Sequence, residues 1–291
     1  MTSGILFLGY GYTARALGRC LRAQKHPIKI SATARTDETE KLLRCDTITP
    51  VPWKNNQLPP EALDDVDCLL ISTPPGSDGC PAFLATQQQL IESKKPFRWI
   101  GYLSSNGVYG DHDGAWVGEE NEPRPQTPRG KRRLNAEATW RDLANEHDLP
   151  LVIFRLPGIY GPGRSAIDTV RAGTAKRIHK PGQVFSRAHV DDIAQTLFAS
   201  LQAPKAGNLF NVADDEPAPP QDVITFACQL LGVEAPPILS LDDPSLSEMA
   251  KSFYRENKRV SNAQMKEALG VDLRYPTYRE GLTAILNNEN H

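Results

Sequence analysis

A chain of 291 residues with 40% hydrophobic and 23% charged residues has the balance of a soluble globular protein, long enough to bury a sizeable core. Its formal net charge of −2 creates no broad basic field, which argues against nucleic acid as a partner. No apolar run approaches the roughly 20 residues needed to cross a bilayer, which argues against a membrane partner.

The N-terminus carries no basic leader and runs from Met1 straight into a glycine motif, so no signal peptide is predicted. The five cysteines (Cys20, Cys45, Cys68, Cys80, Cys228) are odd in number and scattered, without a Cys-x-x-Cys pair. That pattern fits a reducing, cytoplasmic setting and suggests no metal site.

In chain order, short apolar runs alternate with helical patterns. Strands are expected at Ile5–Leu8, Ile28–Thr33, Cys68–Ser72, Trp99–Ser105 and Leu151–Leu156, with a late one at Asn208–Val212. Near-continuous apolar strands of this kind mark a parallel sheet covered on both faces. Ala14, Leu17 and Leu21 recur at helical spacing and should pack on that sheet. Helices are also expected near 191–202 and 221–231. The predicted fold is α/β, a Rossmann-type doubly wound parallel sheet with a small C-terminal substrate-binding portion. Residues 1–165 form the core of this scheme and 166–291 the C-terminal portion, with the strand near 208–212 returning to the core sheet.

The first strand leads into Gly9-Tyr10-Gly11-Tyr12-Thr13-Ala14 and then an amphipathic helix, the context of a dinucleotide fingerprint. Gly9 allows the tight turn, Gly11 removes the Cβ that would block a pyrophosphate, and Ala14 lets helix and strand approach. The helix N-terminus then offers free N–H groups and the positive end of its dipole. An NAD-specific site would place Asp or Glu at the tip of the second strand, on the ribose 2′-OH. Here the strand runs out as Ser31-Ala32-Thr33-Ala34-Arg35, and Arg35 suits a 2′-phosphate instead. NADP is therefore the expected cofactor, with NAD as the alternative; the competing view of Arg35 is an ordinary solvated arginine. Ser72-Thr73-Pro74-Pro75-Gly76 follows a strand and should turn near the cofactor ribose, whether or not it is more than a Pro/Gly turn.

With these residues in place, the chain resembles the extended and atypical short-chain dehydrogenase/reductases of the NAD-dependent epimerase/dehydratase family, within it the YeeZ-like branch. The resemblance also rests on Leu103-Ser104-Ser105-Asn106-Gly107-Val108-Tyr109-Gly110, on Arg155-Leu156-Pro157-Gly158-Ile159-Tyr160-Gly161-Pro162-Gly163, on His189-Val190-Asp191-Asp192 and on Arg279-Glu280-Gly281-Leu282. It implies binding of the cofactor by Gly9, Gly11, Tyr12, Ala14, Arg35, Thr73, Pro74 and Pro157, and catalysis aided by Ser105. It implies a small-molecule substrate, phosphorylated or a nucleotide sugar, and it allows a homodimer.

The family's proton relay, a Tyr-x-x-x-Lys pair, is not matched. Aligning Gly130 and Ala136-Glu137 puts Arg129 at the tyrosine position and Arg133 at the lysine position. The relay needs a phenol whose pKa of ~10 is lowered by neighbouring charge, whereas a guanidinium stays protonated beyond pH ~12. Lys131, two residues from Arg129, lies on another helix face. Three readings follow. Another group moves the proton, with Tyr109 and His189 as candidates that also read as structural residues. Alternatively Arg129 and Arg133, four apart, clamp a phosphate or carboxylate, or belong to a solvated basic face. The third reading is a catalytically inactive, NADP-responsive regulatory or binding protein. Arg187 and Asn257-Lys258-Arg259 are weaker substrate-phosphate candidates, the polar loop from Gly110 to Gln126 is a candidate cover, and Trp53, Trp99, Trp116 and Trp140 read as packing residues.

Overall fold

The computed structural model describes residues 3–25, 27–93 and 95–289. Seven strands form one sheet: β1 (Gly4–Leu8), β2 (Lys29–Ala34), β3 (Thr49–Pro52), β4 (Cys68–Ile71), β5 (Trp99–Ser105), β6 (Leu151–Leu156) and β7 (Leu209–Asn211). They lie in the order β7-β6-β5-β4-β1-β2-β3, and every neighbouring pair is parallel. The chain winds one way from β1 to β3 and the other way from β4 to β7. The switch point therefore falls between β1 and β4, where doubly wound sheets open a crevice at their carboxyl ends.

Alternation along β1 builds two cores. Ile5 and Phe7 face a layer that includes Ala14, Leu17 and Leu21 of α1 (Tyr12–Ala23), all fully buried. Leu6 and Leu8 face the opposite layer, with Ile71, Tyr102 and Trp140. That second layer is covered by α3 (Pro81–Glu92) and α4 (Pro128–His147), which follow α2 (Asp37–Cys45) along the chain. α5 (Ala166–Arg171) then leads into the C-terminal part. α6 (Val190–Gln202) returns to pack on α1, where Ala16, Val190 and Ala194 let the two helices approach closely. Trp99 turns its indole N–H to Ser200 on α6, satisfying a polar group that would otherwise be orphaned.

β3 is the strand that apolar patterning does not reveal, because it reads Thr-Pro-Val-Pro. It is an edge strand, the one place where prolines fit a sheet without breaking an inner ladder. In the C-terminal part, α7 (Pro220–Leu231) and α10 (Tyr278–Glu289) pack with α5, while α8 (Glu248–Phe253) and α9 (Ala263–Leu269) lie between them in sequence. Three short parallel pairs complete the fold: Gly158–Tyr160 with Arg187–His189, Arg177–His179 with Ile238–Ser240, and Trp116–Val117 with Arg259–Val260. The polar stretch from Gly110 to Gln126 is thus tied down at its centre. Lys258 Nζ donates to the Gly110 carbonyl at 2.7 Å, and the amides of His112 and Gly114 both donate to the Asn257 carbonyl at 3.0 Å. No described helix is long and apolar enough to cross a membrane.

Candidate active site at the carboxyl ends of the strands

The turn after β1 is held from both sides. The Gly9 amide donates to Thr33 Oγ1 at 2.9 Å, and Ser72 Oγ donates to the Gly9 carbonyl at 2.8 Å. Gly9 has φ +93°, and a Cβ there would stand 2.9 Å from Ser72 Oγ. Gly11 is different: it is the N-cap of α1 in extended conformation, and a Cβ there would meet nothing within 4 Å. No side chain caps α1 and no acid lies in its first turn, so its leading N–H groups and positive dipole end remain available. Beside the turn, Thr73 is buried and its hydroxyl oxygen has no hydrogen-bond partner. Open space over Gly11, an uncapped helix start and an orphaned hydroxyl all fit a dinucleotide phosphate.

Arg35 lies exposed just beyond the tip of β2, with its guanidinium 4.4 Å from the centre of the buried Trp53 ring. Trp53 directly follows β3, and its amide bonds the Ala34 carbonyl at 2.8 Å. The stacking restrains Arg35 at the sheet edge, so Trp53 does more than pack. Trp99 and Trp140 are fully buried, whereas Trp116 is 57% exposed and so is no core residue. Tyr12 reaches across to the segment after β6, its hydroxyl donating to the Pro162 carbonyl at 3.0 Å, and Arg164 stands over its ring at 5.7 Å. Pro157 begins that segment and is half-buried, while Pro74 is exposed beside Thr73.

At the end of β5 the two serines part. Ser104 is buried and donates to Glu137 Oε1 at 2.5 Å. Ser105 is half-buried and accepts from the Gly107 amide at 3.1 Å, which leaves its own hydroxyl proton free to be donated. α4 presses on this segment: a Cβ on Gly130 would lie 2.5 Å from the Gly107 carbonyl oxygen. Below Ser104, Glu137 pairs with Arg155 through two bonds of 2.8 and 3.2 Å and with Arg141 at 3.0 Å. Arg155 in turn stacks on Tyr109 at 4.7 Å, and Tyr109 donates to Asn211 Oδ1 at 2.8 Å. This buried chain fixes the floor beneath Ser105; pattern reading missed it because its members are far apart in sequence.

The basic run on α4 divides. Arg133 donates to the Leu103 carbonyl at 2.7 Å and lies 3.4 Å from the Tyr102 hydroxyl. Arg129 is exposed and faces the Phe253 ring at 5.7 Å, while Lys131 and Arg132 are exposed on the helix surface. Neither Arg129 nor Arg133 meets a carboxylate among the described residues. Burial pushes the Tyr102 phenol up to about 12, against the pull of Arg133. Tyr109 is fully buried and also raised by burial. His189 caps α6, with Nδ1 accepting from the Asp191 amide at 3.2 Å, and burial pushes its imidazole down to about 4. All three side chains are held as structural groups.

Arg187 is held by backbone, with Nη1 donating to the carbonyls of Phe185 at 2.8 Å and Ala218 at 3.0 Å. Lys258 and Asn257 are bound to backbone carbonyls and amides, and Arg259 donates to the Gly114 carbonyl. These three join loop to loop.

A parallel sheet with its switch point beside a glycine turn, an uncapped helix start and a serine at the end of the fifth strand define a Rossmann-like α/β fold with a candidate site at its carboxyl edge. Residues 86–213 match the model of the NAD dependent epimerase/dehydratase family. Protein YeeZ from Escherichia coli (strain K12) is 28% identical over 225 residues, which is 74% of each chain. The structure of a functionally unknown conserved protein from Silicibacter pomeroyi DSS is 47% identical, with a TM-score of 0.91 over 99% of both chains. dTDP-glucose 4,6-dehydratase from Bacillus anthracis str. Ames, in complex with NAD, shares the fold at 14% identity, with a TM-score of 0.77 over 100% of this chain and 97% of that one.

Proposed function

We propose that this protein binds NADP across the Gly9–Ala14 turn and acts as an oxidoreductase or epimerase-like enzyme on a phosphorylated or nucleotide-sugar substrate, without a Tyr-x-x-x-Lys relay. The observation that carries the reading is the uncapped start of α1 at Gly11, open above its backbone, with Arg35 stacked nearby on Trp53. Gly9, Gly11, Tyr12 and Ala14 shape the pyrophosphate seat, Thr73 and Pro74 border the ribose, and Pro157 borders the nicotinamide. Arg35 meets the 2′-phosphate, a charge-assisted contact worth about 1.5–3 kcal/mol. The substrate class is supported by the dehydratase of like fold, whose name specifies a nucleotide sugar.

A bound nicotinamide supplies hydride donation or acceptance. The chain's own groups then define the rest. Ser105, with its lone pair engaged by Gly107, donates a hydrogen bond to a substrate oxygen. Arg129 and Arg133 cannot take a proton near neutrality, and Arg133, held on the Leu103 carbonyl two residues before Ser105, is the one that adds positive charge to this segment. Carbonyl reduction suits such a site best, with the oxygen protonated from water. The same absence of a base favours a second reading, an NADP-responsive binding protein.

The discriminating experiment follows nicotinamide absorbance of the protein with NADPH across a panel of nucleotide sugars and sugar phosphates. Slow turnover is expected, abolished in Ser105→Ala with cofactor binding retained, and increased in the double variant Arg129→Tyr, Arg133→Lys. No turnover in any form would favour the binding protein.

A further inference from the structure

A cavity of about 500 Å³ lies between α5, α7 and α10, and neither Gly11 nor Ser105 lines it. Its apolar wall comes from Ala166, Val223, Ile224 and Leu282. Three cations, Arg164, Lys176 and Arg187, stand in its polar lining. The one carboxylate there, Asp168, is engaged in the capping box of α5, accepting from the amide and hydroxyl of Ser165 at 2.7 and 2.5 Å.

Arg187 is the central feature. It sits deep in the fold and yet keeps partial exposure, because it lines this cavity. Only Nη1 is hydrogen-bonded, to two carbonyls, and no carboxylate lies within ion-pair distance among the described residues. Burial weakens its hold on its proton, with Asp214 and Tyr160 pulling the other way. Asp214 bonds Arg187 only through its backbone amide, its carboxyl oxygens have no hydrogen-bond partner, and burial raises that carboxyl to about 8, against the pull of Arg187 and backbone amides. A buried guanidinium left this way favours an incoming anion strongly.

We propose that this cavity is a second ligand site, separate from the cofactor cleft, for a small amphipathic anion: a carboxylate or phosphate carrying an apolar body. The anionic head pairs with Arg187 and Lys176, and the body lies against Val223, Ile224 and Leu282. The proposal does not depend on the cofactor assignment or on catalysis.

The test is calorimetric titration of the full chain with phenyl phosphate and benzoate, with inorganic phosphate as the headgroup alone. Saturable binding of at least one aromatic anion is expected, with inorganic phosphate weaker. Because replacing Arg187 risks the fold, two variants probe the site. Lys176→Ala, at an exposed position, is expected to weaken binding roughly tenfold, the loss of one charge-assisted contact. Val223→Trp fills the cavity and is expected to abolish binding of both aromatic anions while a thermal scan shows the fold retained. Two further titrations place the probe: saturating NADPH should leave its binding intact, and displacement by NADPH would put the anion in the cofactor cleft and overturn the proposal. Absence of saturable binding in the wild type, or undiminished binding in Val223→Trp, would overturn it equally.

Discussion

Two glycines two residues apart should respond to the same substitution in opposite ways. Gly9→Ala places a Cβ 2.9 Å from Ser72 Oγ and 3.0 Å from Thr73 Cγ2, on a backbone with φ +93°. The conformation alone costs an L-residue about 1–2 kcal/mol, and the contacts force the turn to shift, so at least ~2 kcal/mol of stability is lost. At roughly 2–4 °C per kcal/mol, the melting temperature should fall by about 4 °C or more. Gly11→Ala places its Cβ in open space on an extended backbone that any residue adopts. The lost preference at the helix N-cap and the reduced entropy of the unfolded chain are each ~1 kcal/mol or less and opposed, so stability should change by less than about 1 kcal/mol. That same Cβ occupies the seat assigned to the pyrophosphate. Losing one charge-assisted bond of about 1.5–3 kcal/mol weakens NADPH by roughly ten- to a hundredfold. Differential scanning fluorimetry and calorimetric titration on the two purified variants separate the effects. A Gly11→Ala variant that binds NADPH like the wild type, or that melts as early as Gly9→Ala, would refute the assignment of the turn.

Other consequences concern buried charge. Glu137→Ala strands Arg155, which is 2% exposed, and should cost about 3–5 kcal/mol in urea unfolding; replacing both with methionine should recover most of it. An unchanged midpoint in Glu137→Ala would contradict the network. Asp214 has a folded pKa of about 8, raised by burial from near 4, so the folded state holds a proton that the unfolded chain gives up. Its contribution is full below pH ~4 and is lost as pH rises toward 8, by up to ~1.4 kcal/mol per pH unit. Asp214→Asn should therefore flatten this part of the stability profile relative to the wild type, and parallel profiles from pH 5 to 8 would sink the idea.

Five of the seven sheet strands are visible in the sequence to within a residue or two, because a parallel sheet covered on both faces demands uninterrupted apolar runs. β7 is visible too, a residue shorter at each end than its apolar run. β3 escapes because, at the edge, neither burial nor a full ladder constrains it, and two prolines disguise it. The glycine turn could be read in advance since its demands are local. The supports around it could not: Thr33 and Ser72 grip Gly9, and Trp53 holds Arg35, through contacts set by strand order rather than spacing. The same limit explains the basic run on α4. Four cations within five residues look alike in sequence, but α4 meeting the β5 carbonyls and α8 sends Arg133 inward and Arg129 toward Phe253. Asn257, Lys258 and Arg259 read as a ligand-facing run until the pairing with Trp116–Val117 reveals their carbonyl partners.

The most direct measurement is calorimetric titration of the purified protein with NADPH and then NADH, repeated on Arg35→Ala. Saturable binding with NADPH preferred roughly ten- to a hundredfold, and that preference lost in the variant, is the expected result. Absence of binding to either dinucleotide would contradict the account at its centre.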